Sequence, residues 1–146
     1  MDCSPVNPRR LIRRSLLLTT ALAFAATGCG SLDKDAVSTK IGEASSAAEE
    51  GALLAHQDAI GATAVPFVAI HSAELHKVAG NAAEALSGSV GDPYRPAAHE
   101  GSGLARRVEA QLQDLHLSPD DPTTAARVET KLLALASQLS DLESKL

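Results

Sequence analysis

The sequence predicts an all-α domain, a small up-and-down four-helix bundle, on three observations. Near the C-terminus Val128, Leu132, Leu135, Leu139, Leu142 and Leu146 recur at alternating steps of four and three, the spacing that sets branched aliphatics along one seam of a helix. Leu104, Val108, Leu112 and Leu115 form a matching seam upstream. Alanine and leucine, both strong helix formers, supply most of the apolar volume in a chain with no tryptophan, one tyrosine and two phenylalanines. No stretch alternates as a half-buried strand would.

The first helix is expected over about 33–61. Asp33 is suited to cap its N-terminus, and Gly61 to take the left-handed conformation just past its end. Gly42 and Gly51 lie inside and weaken it by about 1 kcal/mol each. Glu49, Leu53, His56 and Ile60 share one of its faces. Pro66 opens a second helix, about 66–87, because proline is tolerated in a first turn; a single helix kinked at Pro66 is the alternative. Phe67, His71, Leu75, Val78, Ala82 and Leu86 share a face there. Gly88, Gly91, Pro93, Pro96, Gly101 and Gly103 then read as an irregular crossover over 88–103. The third helix is expected over about 102–116. Ser118-Pro119-Asp120-Asp121-Pro122 is a turn, with Asp121 capping a fourth helix, 122–146, whose first residue is Pro122. Four such helices joined in sequence make the bundle.

The N-terminus has a different composition. Arg9, Arg10, Arg13 and Arg14 form a positive segment that prefers the cytoplasmic side of a membrane. From Leu16 to Ala26 the chain is apolar apart from Thr19 and Thr20, too short for a permanent span of about 20 residues. Small residues follow, in the order Ala26-Thr27-Gly28-Cys29. The whole reads as a three-part export signal, and its end resembles the lipobox of bacterial lipoproteins, with Ala26 where leucine is usual. The resemblance covers only the first 30 or so residues. It implies that the Cys29 thiol receives a diacylglyceryl group, that a signal peptide of residues 1–28 is cut away, and that the new amine is acylated. Residues 29–34 would then be a lipidated tether and residues 35–146 the helical domain. The protein would be exported and held at the outer face of the bacterial cell membrane. Each buried methylene contributes about 0.8 kcal/mol, and two or three acyl chains anchor stably where one does not. Arg13-Arg14-Ser15-Leu16-Leu17 also resembles the twin-arginine export motif, which carries folded proteins, so both export routes stay open.

Four of the 13 Lys and Arg residues and one of the 18 Asp and Glu residues fall in the signal, leaving 9 and 17 and a formal charge of −8. Such a surface repels phosphate backbones and excludes nucleic acid as a partner. It gains nothing from anionic headgroups, so acyl chains would do the anchoring. Cys3 would leave with the signal and Cys29 would be alkylated, leaving the domain no disulfide.

No catalytic motif stands out, and a non-enzymatic role is expected: binding or organising another envelope component. No serine sits in a Gly-x-Ser-x-Gly elbow, and Gly88-Ser89-Val90-Gly91 lacks the lysine and preceding strand of a phosphate loop. Two features carry functional expectations. If the first two helices fold back about a point between Ala62 and Val65, His56 and His71 face each other, with Glu49 and Glu74 within about a turn. Two imidazoles and two carboxylates between helices are a ligand set for a transition metal, or a proton sensor, although the Glu-x-x-His motif of di-metal bundles is absent. Histidines that hydrogen-bond at the helix interface are the simpler reading. No other cofactor is expected. Second, Asp92-Pro93-Tyr94-Arg95-Pro96 joins the only tyrosine to an arginine, a pair enriched in binding hot spots. Either Tyr94 packs the crossover onto the bundle, or Tyr94 and Arg95 contact a partner. Whether the domain self-associates is left open by the sequence.

Overall fold

The computed structural model describes residues 31–146, which form one compact unit. Among the described residues four helices follow one another: α1 (Lys34–Ala59), α2 (Val65–Leu86), α3 (Arg95–Leu117) and α4 (Pro122–Glu143), with a 3-10 turn, Asp92–Tyr94, before α3. The all-α four-helix bundle is therefore the fold. Its closest packing is α1 on α4 and α2 on α3, and the α1–α2 and α3–α4 contacts close the ring. Neighbours run antiparallel. At one end Ser38 Oγ of α1 donates to Glu143 Oε1 of α4 (3.0 Å); at the other, His116 Nδ1 of α3 donates to the Ala69 carbonyl of α2 (2.9 Å). Among the described residues no helix is long and apolar enough to cross a membrane.

Local chemistry explains most of the boundaries. Asp33 Oδ1 accepts from the Ala36 amide (2.9 Å), satisfying one of the free donors of the first turn of α1. Gly61 has φ +66°, the left-handed value that lets the chain leave α1 and turn back. Pro66 lies in the first turn of α2, so two helices stand where a kinked one was the alternative. Asp121 caps α4 by accepting from the Thr123 amide (3.0 Å) and the Thr124 hydroxyl (2.7 Å).

The start of α3 differs from expectation. The crossover read as irregular over 88–103 is only 87–94, and α3 begins at Arg95, two turns before the expected start at 102. Pro93 falls in the 3-10 turn and Pro96 in the first turn of α3, where a missing N–H costs nothing. Gly101 is a packing residue: a Cβ there would lie 2.9 Å from Ile41 Cγ1 and 3.3 Å from Leu86 Cδ1. Its bareness lets α3 press on α1 and α2, an interhelical contact that a local reading of the sequence does not see.

The seams on α3 and α4 are buried as expected, with Leu112, Leu115, Leu132 and Leu139 among the largest fully enclosed side chains. The face expected on α1 is rotated, and the one on α2 is buried only in part. Leu53 and Ile60 are 59% and 64% exposed, whereas Ala44, Ala47, Ala48, Ala52 and Ala55 are buried. On α2, Leu75, Ala82 and Leu86 of the expected face are buried, but Phe67 and Val78 are exposed and Val68, Ser72 and Ala79 face inward in their place. Small side chains let helix axes approach closely. At Gly51 an added Cβ would meet Leu112 Cδ2 at 2.5 Å, so α1 lies against α3 with no room for a larger residue.

Candidate functional site

Cys29 and the signal segment 1–28 lie outside the described residues, as do the first two residues of the expected tether. Residues 31–34 are not a free tether. The Leu32 amide donates to the Ser89 carbonyl (2.8 Å), and the Gly91 amide donates to the Leu32 carbonyl (3.0 Å). These bonds clasp the approach to α1 against the α2–α3 crossover, and Leu32 packs on the core.

The structure does not bring His56 and His71 together. The connection between the two helices spans residues 60–64, and His71 lies beside Glu50, not His56. His71 Nε2 donates to Glu50 Oε1 (2.6 Å), and its ring stacks on Phe67 with centroids 5.2 Å apart. His56 lies six residues further along α1, about 9 Å at 1.5 Å per residue, and its Nδ1 donates to Glu129 Oε1 on α4 (3.1 Å). Glu74 pairs with Lys77 (3.0 Å). Glu49 lines the same shallow α1–α4 groove as His56 and Glu129, beside Leu53 and Leu133. Among the described residues no three His, Cys, Asp or Glu side chains converge as metal ligands would. The facing pair on which a metal- or proton-responsive bundle was expected is thus two separate interhelical bridges. Both are solvent-exposed, of a kind that contributes about 0.2–1 kcal/mol.

Tyr94 ends the 3-10 turn half-buried, its ring packed on the core, and the Arg95 guanidinium pairs with Asp92. Arg95 also belongs to the feature that sequence reasoning missed. Between the end of α2 and the start of α3 lies a groove of about 450 Å³, lined by Arg95, His99, Arg106, Ser87 and Ser102. Leu86, Val90 and Ala98 form its floor. Once α3 is known to begin at Arg95, a signal is visible: Arg95, His99, Ser102 and Arg106 step by four, three and four, one stripe of a helix. Arg106 Nη2 donates to Ser87 Oγ (3.4 Å). Ser87 Oγ and Ser102 Oγ are 2.7 Å apart, and both lie within hydrogen-bond distance of the Ala83 carbonyl (2.8 and 3.0 Å).

At the opposite end, Asp58 in the last turn of α1 is 8% exposed, and its Oδ2 has no hydrogen-bond partner among the described residues. Burial, and then the charges of Asp120 and Asp121, raise its pKa above the usual carboxylate value. Asp121 is held below that value, first by the Thr124 hydroxyl and then by the Thr123 amide.

Compared with known proteins, the chain matches no family model, no curated protein and no solved structure.

Proposed function

We propose that the chain is a bacterial lipoprotein: exported, cut before Cys29, and held at the outer face of the cell membrane by lipid on that sulfur. Its helical bundle binds or organises another envelope component and catalyses no reaction. The observation that carries this reading is the order of Arg9–Arg14, the apolar run Leu16–Ala26 and the small residues leading to Cys29. The position of Cys29 supports it too, since only three residues separate it from the Asp33 cap of α1.

Intact-mass measurement of the chain processed in bacterial cells is the test. The expected species begins at Cys29 and carries the mass of a diacylglyceryl group with or without a third acyl chain. Cys29→Ser should abolish incorporation of labelled palmitate and release the protein from the membrane fraction. An N-terminus elsewhere, or a bare thiol at Cys29, overturns the reading. The binding role is tested by crosslinking in intact cells, where Tyr94→Ala or Arg95→Ala should reduce capture of a recurring partner.

A further inference from the structure

We propose that the groove between α2 and α3 is a binding site for a phosphate group bearing an apolar substituent. The charge of its lining runs against the rest of the molecule. After residue 28 the chain has 17 acidic and 9 basic residues, yet Arg95, His99 and Arg106 line this groove and no carboxylate does. Asp92 holds Arg95 at the rim. Among the described residues Arg106 forms no ion pair; its guanidinium reaches only the Ser87 hydroxyl. Arginine presents a planar fork of donors matched to phosphate oxygens, and this one holds a single long hydrogen bond (3.4 Å).

The two serines add a donor. Ser87 and Ser102 have two hydroxyl protons between them and share the Ala83 carbonyl as acceptor. One proton satisfies that carbonyl, and the other bridges the two oxygens (2.7 Å) and is free to turn to a ligand. The first turn of α3, with Arg95 and Ala98, also borders the groove; the Arg95 amide is taken by the Asp92 carbonyl and Pro96 has none, so this end adds its dipole and not free donors. The C-terminal end of α2 reaches the same region, where the Ser87 and Gly88 amides occupy the Ala83, Glu84 and Ala85 carbonyls, so the basic side chains carry the attraction. Leu86, Val90 and Ala98 offer an apolar floor beside the charged wall, and the volume of about 450 Å³ lies in the range of small-molecule sites. A charged head with a greasy neighbour fits this division; a bare inorganic ion would leave the floor unused.

Two sources share this chemistry, a phospholipid headgroup region and a soluble phosphate ester. The site holds whether or not Cys29 is acylated, because every group named belongs to the bundle. The experiment uses the full chain in a non-ionic maltoside detergent, titrated with inorganic phosphate, with phenyl phosphate and with dihexanoyl phosphatidate. Tyr94, the only tyrosine in a chain without tryptophan, immediately precedes Arg95 and reports binding by its fluorescence; calorimetry gives the affinities. Saturable binding is expected for both esters, at least tenfold tighter than for inorganic phosphate, and Arg106→Gln or His99→Gln should weaken it at least tenfold. Tighter binding of the phosphatidate than of phenyl phosphate assigns the site to lipid, and the reverse order assigns it to a soluble ester; either supports the proposal. Arg107→Gln removes the same charge one residue away, outside this groove, and should leave binding unchanged. No saturable response, an inorganic phosphate affinity equal to that of the esters, or equal losses in the Arg106 and Arg107 variants would each overturn it.

Discussion

A methyl group added at Gly101 would collide with Ile41, which is fully buried, whereas one added at Gly103 meets nothing within 4 Å. Both positions are interior to α3, where alanine is favoured over glycine by roughly 0.5–1 kcal/mol. Gly103→Ala should therefore raise stability by about that amount. Gly101→Ala should lower it, because overpacking a tight core costs about 1–3 kcal/mol and outweighs the helix gain. Urea denaturation of the two variants reads the opposite signs. Asp58 gives the pH-dependent counterpart. Its folded pKa lies above the unfolded 3.8, so the folded state takes up a proton first as pH falls. Stability then increases as pH drops from neutrality through the folded pKa toward 3.8, and that gain is complete below 3.8. Asp121 works the other way, stabilising above 3.8 and losing that contribution as pH falls through its lowered folded value. Asp58→Asn removes a buried charge and its repulsion by Asp120 and Asp121, and should stabilise the protein at pH 7. It should also remove the rise on mild acidification, as denaturation midpoints at pH 7, 6, 5 and 4 will read.

Among the elements, those legible in the sequence were the ones with contrast. The seams of α3 and α4 are leucines and valines set against polar residues, and Asp33, Gly61, Pro66, Asp121 and Pro122 mark helix ends by local chemistry that needs no tertiary context. Where alanine fills both the core and the flanks, the pattern has little amplitude. In α1 the larger Leu53 and Ile60 look like core, yet close helix approach favours the alanine row and leaves them outside. That rotation separated His56 from His71, turning one toward Glu129 on α4 and the other toward Glu50. The groove was hidden for a related reason: glycines and prolines over 88–103 mimic a loop, so the basic stripe on the first turns of α3 could not be seen as a stripe. The rotated face of α1 makes a prediction at this scale. Ala48→Leu should cost about 1–3 kcal/mol by overpacking, while Leu53→Gln should change stability by less than about 0.5 kcal/mol. Equal losses in thermal denaturation would mean the Leu53 face is the packed one.

At the scale of the whole molecule, the ends of the bundle differ. The end with the clasp at Leu32 also holds the basic groove and the last turn of α4. The remote end carries Asp58, Asp120 and Asp121, and the exposed apolar residues Ile60, Val65, Phe67, Ile70 and Leu117 lie toward it. The two Leu32 hydrogen bonds have a mechanical consequence. Residue 31 and Leu146 emerge at the same end of two adjacent antiparallel helices, so tension between them peels α1 from α4 turn by turn instead of shearing them lengthwise. The first barrier to peeling is the pair of bonds to Ser89 and Gly91. In an optical trap pulling on residues 31 and 146, a small first rip is expected before the main rupture, releasing about 1 nm for some three residues at roughly 3.3–3.6 Å each. Leu32→Pro, which deletes the donor to Ser89, should lower the force of that rip and leave the main rupture unchanged. Under the proposed acylation of Cys29, drag from a moving bilayer would load the wall of the groove before it loaded the core.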